Sequence, residues 1–116
     1  MKTLLRGRQQ ENRARAFLQR QGLKYRDSNY RCRHGEIDLI MQDGDTLVFV
    51  EVRYRRNRRF GGAAASVNRN KIRKLSKTGL HYLQQHKLDT ACRFDVIAID
   101  GDSEPNWIKR AFDMEY

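Results

Sequence analysis

Apolar residues recur along the chain with changing periods, and each change marks an element. From Leu4 to Arg20 strong helix formers carry Ala14, Phe17 and Leu18 at core spacing, with Gly22 placed to end the last turn, so a first helix is predicted. Leu23, Tyr25 and Tyr30 then stand among polar residues, and Asp27-Ser28-Asn29 interrupts them, which predicts a first strand with a break. Residues 36 to 41 and 46 to 54 are β-branched and aliphatic runs joined by Gln42-Asp43-Gly44-Asp45, and Asp-Gly between such runs predicts an antiparallel hairpin. The segment RRNRRFGGAAAS, residues 55 to 66, ends all periodicity and predicts a basic loop. Ser66 is placed to cap a second helix running to about Lys87, with Ile72, Leu75, Gly79, Tyr82 and Leu83 as its inward stripe. Residues 92 to 100 are apolar on both faces, which suits a strand parallel to the third through a helical crossover, and residues 106 to 112 add an edge strand. The order predicts one α/β domain over residues 1 to 116, a mixed sheet covered by helices.

Composition adds a partner. The chain has 116 residues, 39% of them hydrophobic, and carries 24 Lys plus Arg against 14 Asp plus Glu, a formal charge of +10. Such a field attracts polyanions, so nucleic acid is the leading partner and an anionic membrane surface the plainer rival. No run approaches the roughly 20 apolar residues of a spanning helix, and the first residues lack a signal-peptide stretch, so the expectation is a cytoplasmic protein with no membrane partner. Cys32 and Cys92 form no ligand spacing and are expected as reduced thiols, with no zinc or redox role.

The acids in the hairpin change the picture more. With Asp43-Gly44 as the two-residue turn, Gln42 opposes Asp45, Asp38 opposes Phe49 and Glu36 opposes Glu51, so Glu36, Asp38, Glu51 and Arg53 share a face. A four-residue loop keeps this parity, whereas three or five residues destroy it. Asp38 and Glu51 become diagonal neighbours with Cβ atoms roughly 7 Å or less apart, within reach of one divalent cation. Glu11 shares a helical stripe with Gly7, Ala14 and Leu18 and so points along the apolar side. A buried carboxylate needs a counter-charge or a cation, and a hard ion such as Mg²⁺ or Mn²⁺ satisfies several at once. The expected site therefore has Asp38, Glu51 and Glu11 as metal ligands and Arg53 as the stabiliser of phosphate charge. A plain ion-pair set on a solvated face is the structural alternative for any single acid.

The segments GEIDLI, LVFVEVRYR, FGG leading to ASVNRNKIRKL, and RFDVIAI resemble the YraN-like bacterial proteins, grouped by similarity with the Holliday-junction-resolvase-like branch of the PD-(D/E)XK nucleases. The resemblance runs from about Gly7 to Phe112. It implies an αβββαβ nuclease core, Mg²⁺ or Mn²⁺ as cofactor, Asp38 and Glu51 as the two strand acids, and Glu11 as the helix acid. It also implies a homodimer acting on branched DNA. The departure is Arg53, which stands where the superfamily pattern has Lys. Arg prefers bidentate phosphate contacts and does not readily accept a proton.

Further basic residues are candidates for nucleic-acid contact: Arg55, Arg56, Arg58 and Arg59 with Phe60 in the loop, then Lys71 and Lys74 with Arg73 and Lys77 on the outer face of the second helix. The plainer reading is a solvated loop and helix face. Asp95 is expected to form a buried pair with a nearby Arg, Trp107 to pack, His34 to be a candidate substrate contact, and His81 and His86 to lie on the helix surface. Three functions compete: a metal-dependent DNA endonuclease, a catalytically inactive nucleic-acid-binding module of the same fold, and an interaction subunit for an acidic partner.

Overall fold

The computed structural model describes residues 2–56 and 67–115, with side chains from residue 7 onward. Its elements are α1 (Lys2–Arg20), β1 (Lys24–Cys32), β2 (Gly35–Asp43), β3 (Thr46–Arg55), α2 (Arg69–Gln85), β4 (Cys92–Asp100) and β5 (Asn106–Phe112). The five strands form one sheet in the order β1-β2-β3-β4-β5. Only β3 and β4 run parallel, and α2 is the crossover that a parallel joint requires. Among the described residues this is a mixed α/β fold with two helices, compatible with a nuclease-like core.

Alternation on β3 divides the core. Val48 and Val50 belong to the cluster of Ala14 and Leu18 beneath α1, whereas Leu47 and Phe49 belong to the cluster of Leu75 and Tyr82 beneath α2. α2 approaches so closely that a Cβ on Gly79 would stand 2.8 Å from Phe94 Cζ, which explains glycine in the middle of a helix.

Three expectations shift. The rung Asp43↔Thr46 makes Gly44-Asp45 the hairpin turn, with Gly44 at φ 58°, and Leu39 faces Val50. The ladder has slid by two residues from the expected register, so parity survives. Extended by one residue, it sets Asp38 against Glu51 instead of Phe49. The cap of α2 is Asn68, whose side chain accepts from Lys71 N, so the helix begins two residues beyond the place Ser66 would set. Ser66 itself, and Arg58, Arg59, Phe60, Gly61 and Gly62 of the basic loop, lie outside the described residues. The break expected in the first strand takes the form of a register slip between Tyr25 and Asp27 and a left-handed Asn29 at φ 53°. Among the described residues no helix is long and apolar enough to cross a membrane.

Candidate functional site

The site lies where two neighbouring strands stop pairing. The last rung between β2 and β3 is Leu39↔Val50, yet β2 continues back to Gly35 on β1 and β3 continues to Arg55 on β4. The sheet therefore forks, with Asp38 on one prong and Glu51 on the other. Alternation also slips on the β2 prong. Ile37 and Ile40 sit in one cluster and Leu39 and Met41 in the other, which strict alternation forbids. Asn29, with its positive φ, stands opposite this slip, since Ser28 pairs with Leu39 and Tyr30 with Ile37. The irregularity turns Asp38 into the fork, where its Oδ2 accepts the Val52 N–H at 2.8 Å in place of a ladder carbonyl.

The two strand acids meet directly. Asp38 stands close enough to Glu51 for a carboxyl–carboxylate hydrogen bond when one of the two is protonated, and its carboxyl is pushed up to about 9. Burial is the main cause, followed by that hydrogen bond and the Glu51 charge, while the Val52 amide opposes them. Glu51 is 4% exposed, and its Oε2 has no hydrogen-bond partner. Two cations approach that oxygen, Lys71 Nζ at 3.3 Å and Arg53 Nε at 3.6 Å. Glu11 is half-buried and lines the same cleft as Asn29. Its carboxyl is raised mainly by burial, then by the Glu36 charge and less by Glu51, with Asn29 and Arg8 opposing. The residues that touch are thus Asp38, Glu51, Arg53 and Lys71, with Glu11 near enough to feel their charge. Among the described residues no three acidic, imidazole or thiol groups converge on one point.

That arrangement still suits a hard cation. Mg²⁺ takes one or two protein carboxylates and keeps water and phosphate for its other positions. A close carboxyl pair, with one buried oxygen that has no hydrogen bond, is a donor set that a divalent ion relieves. Asp38 and Glu51 would hold it, with Glu11 reaching it through water or substrate.

Other expected residues fall elsewhere. Glu36 is held by Arg31 at 3.2 Å, on the edge-strand side of the fork. Arg55 and Arg56 end β3 as exposed side chains, and Lys74, Arg73 and Lys77 are exposed on α2. His34 lies in the β1–β2 turn. Partial desolvation, then Arg33, Lys77 and His81, lower its imidazole, so the charges it feels are not those of the carboxylates. His81 is half-buried and bonded through Nδ1 to the Tyr30 hydroxyl at 2.5 Å, which corrects the expectation of a surface residue. Asp95 is fully buried and paired with Arg93, and Trp107 packs edge-on against Phe17 with ring centroids 6.2 Å apart.

Two features went unread in the sequence. Lys71 was placed on the outer face of its helix, although it precedes Leu75, Gly79 and Tyr82 by four, eight and eleven residues and so begins their inward stripe. A polar cleft of about 240 Å³ also opens between α1 and β1, lined by Arg8, Glu11, Asn12 and Arg15 on one side and Ser28 and Asn29 on the other, with Leu39 as the apolar floor. Arg15 is stacked over the Tyr25 ring at 3.5 Å.

The chain is similar over most of its length to other bacterial proteins. A UPF0102 protein of Nitrosomonas eutropha is 56% identical over 107 residues, covering 92% of each chain. One from Shewanella loihica is 49% identical over 109 residues, covering 94% of this chain and 95% of its own. One from Herminiimonas arsenicoxydans is 53% identical over 107 residues, covering 92% and 86%. The model of the uncharacterised protein family UPF0102 matches residues 10–99, a span that includes Glu11, Asp38, Glu51, Arg53 and Lys71, and the chain belongs to that family.

Proposed function

We propose that this chain is a metal-dependent nuclease that hydrolyses phosphodiester bonds of DNA, branched DNA included. The observation that carries the reading is the buried pair of Asp38 and Glu51 in the fork between β2 and β3, with Asp38 fixed by the Val52 N–H and Glu51 flanked by two cations, in a chain of net charge +10. A buried acid pair costs stability when nothing divides its charge, and such expense concentrates at functional sites.

Asp38 and Glu51 are the residues that would hold Mg²⁺ or Mn²⁺. When bound, the ion supplies Lewis-acid polarisation of the phosphate and a water of lowered pKa. The protein's own groups do the rest. Val52 N–H fixes the Asp38 carboxylate, and the β3–β4 ladder, which pairs Glu51 with Val96 and Arg53 with Ala98, fixes the other prong. Arg53 presents a guanidinium to the phosphate oxygens, a role that suits its permanent charge. Arg8 and Arg15, on the cleft that contains Glu11, are placed to follow the nucleic-acid backbone away from the acids, and Arg55 and Arg56 extend the basic track beyond β3.

The test is incubation of the purified chain with labelled branched, flapped and linear DNA in Mg²⁺ or Mn²⁺. Cleavage that needs the ion and vanishes in Asp38→Ala is the expected result. Salt-sensitive binding with no cleavage of any substrate would leave only the binding module. Cleavage that persists in Asp38→Ala would belong to a contaminant.

A further inference from the structure

On β3 the cation beside Glu51 is the guanidinium of Arg53, so that strand brings no compact ammonium to the acid pair. We propose that Lys71, from the first turn of α2, supplies that ammonium and contacts the scissile phosphate. The inference rests on the nuclease reading above and names a residue that the strand motif does not contain.

Three observations converge on Lys71. Its Nζ stands 3.3 Å from Glu51 Oε2, closer than the 3.6 Å of Arg53 Nε, although Lys71 comes from a different element on the far side of the basic loop. Its backbone is pinned, because Asn68 caps the helix by accepting the Lys71 N–H at 3.0 Å, so the side chain starts from a fixed point. Its neighbours on α2 do otherwise: Arg69 pairs with Glu115, and Arg73, Lys74 and Lys77 are exposed. Lys71 alone among the described cations of α2 pairs with a buried strand acid.

The chemistry fits an ammonium better than a guanidinium here. The contact of Lys71 with Glu51 Oε2 is an ion pair at 3.3 Å without a hydrogen bond to that oxygen, and an ammonium carries three N–H groups with which to reach further acceptors. In hydrolysis a water oxygen forms a bond to phosphorus, and one P–O ester bond breaks with its electron pair leaving on the sugar oxygen. The water proton goes to solvent, and the departing oxygen takes one from solvent. Lys71 keeps its proton throughout, donating to a non-bridging phosphate oxygen on which negative charge builds in the transition state. Arg53 grips the phosphate in the ground state and the transition state alike.

The experiment compares wild type with Lys71→Met, Lys71→Arg and Arg53→Met on labelled branched DNA, measuring single-turnover cleavage in Mg²⁺, DNA affinity without cleavage in Ca²⁺, Mn²⁺ affinity and thermal midpoint. Lys71→Met is expected to cut the rate by about 100-fold, the usual loss for one transition-state donor, with DNA and Mn²⁺ affinities within about threefold of wild type. Arg53→Met should weaken DNA affinity more than it slows the bound complex. Lys71→Arg keeps a cation beside Glu51 and so isolates the ammonium. It should regain the thermal midpoint and stay at least about tenfold slow. Lys71→Met cleaving within about threefold of wild type would overturn the assignment. So would full activity in Lys71→Arg, since Lys71 would then serve only as a counter-charge. A wild type that cleaves nothing is a different failure, one that removes the nuclease reading and this assignment together.

Discussion

Two buried acids in the same sheet are treated in opposite ways. Asp95 on β4 is fully buried and fully served: Arg93 Nε donates to both carboxylate oxygens at 3.1 and 3.2 Å, Trp107 Nε1 donates at 2.9 Å and Arg110 N at 3.0 Å. Glu51 on β3 is almost as buried, yet one of its oxygens has no hydrogen bond and a second acid, Asp38, stands beside it. A fully satisfied acid holds a fold together, as Asp95 does in tying β5 to β4. Glu51, held by Lys71 and Arg53 as ion pairs with no hydrogen bond to that oxygen and set beside a second buried acid, is the costlier arrangement for the fold.

The largest effect expected from this contrast is on Asp95. Asp95→Ala leaves the Arg93 guanidinium, 11% exposed, with the 3.0 Å contact to Asp43 and strands the Trp107 N–H, and should cost about 3 kcal/mol in urea unfolding, the low end of the range for breaking a buried pair from one side. Asp38→Asn should cost far less or nothing in metal-free buffer. Equal losses in the two variants would dissolve the distinction between them.

Cation binding should separate the two centres next. Saturating Mn²⁺, at 100 times its dissociation constant, should stabilise wild type by about 2.7 kcal/mol, and Asp38→Asn should lose that gain. An ion held by Asp38 would displace the proton that its raised carboxyl keeps at neutral pH, so calorimetry in two buffers of different ionisation enthalpy should detect proton release. A metal-induced shift that survives in Asp38→Asn would place the cation elsewhere.

The pH dependence is smaller and has a definite sign. The folded chain holds the Asp38 proton up to about 9, whereas the unfolded chain releases it near 3.8. Stability from this group is therefore complete below the lower value and declines as pH rises through the higher one. Asp38→Asn removes the decline and should be the more stable protein at pH 8 in chelator, with the gap between the two proteins widening as pH rises toward about 9. Identical pH profiles for the two proteins would mean that the proton sits elsewhere.

The fold was more legible than the site, for reasons the residues make plain. Residues 92 to 100 are apolar on both faces because β4 lies between β3 and β5 and under both core clusters, so composition alone marks them. The hairpin was legible as a hairpin, but its turn was not. Asp43-Gly44 and Gly44-Asp45 both offer a glycine to a two-residue turn, and only the packing of Leu39 and Met41 against α1, with Ile40 against α2, selects the second. The expected shared face of Glu36, Asp38, Glu51 and Arg53 assumed a flat ladder. What unites Asp38 with Glu51 is a fork, and a fork depends on which strands take the prongs, a tertiary fact that no local pattern encodes. Lys71 was hidden differently: its charge suggested solvent, while the phase of Leu75, Gly79 and Tyr82 already placed it at the end of the buried stripe, as Glu11 is placed at the end of the stripe of α1.

The smallest expected effect sharpens where the site ends. Glu36 lies near Glu11 and contributes to raising its carboxyl, yet its ion pair with Arg31 is largely open to water, with side-chain exposures of 32% and 72%. Exposed pairs of this kind contribute roughly 0–1 kcal/mol, so Glu36→Gln should leave unfolding within that range and shift its midpoint little. Removing a negative neighbour should also let the Glu11 carboxyl fall toward its ordinary value, which a carbon-detected NMR titration of the side-chain carboxyl can follow. Mn²⁺ affinity should change by less than about threefold if Asp38 and Glu51 are the ligands in the fork, since Glu36 faces Arg31 on the edge strand. A tenfold loss of Mn²⁺ affinity in Glu36→Gln would move the boundary of the site outward to β1 and make the edge-strand acid one of its ligands.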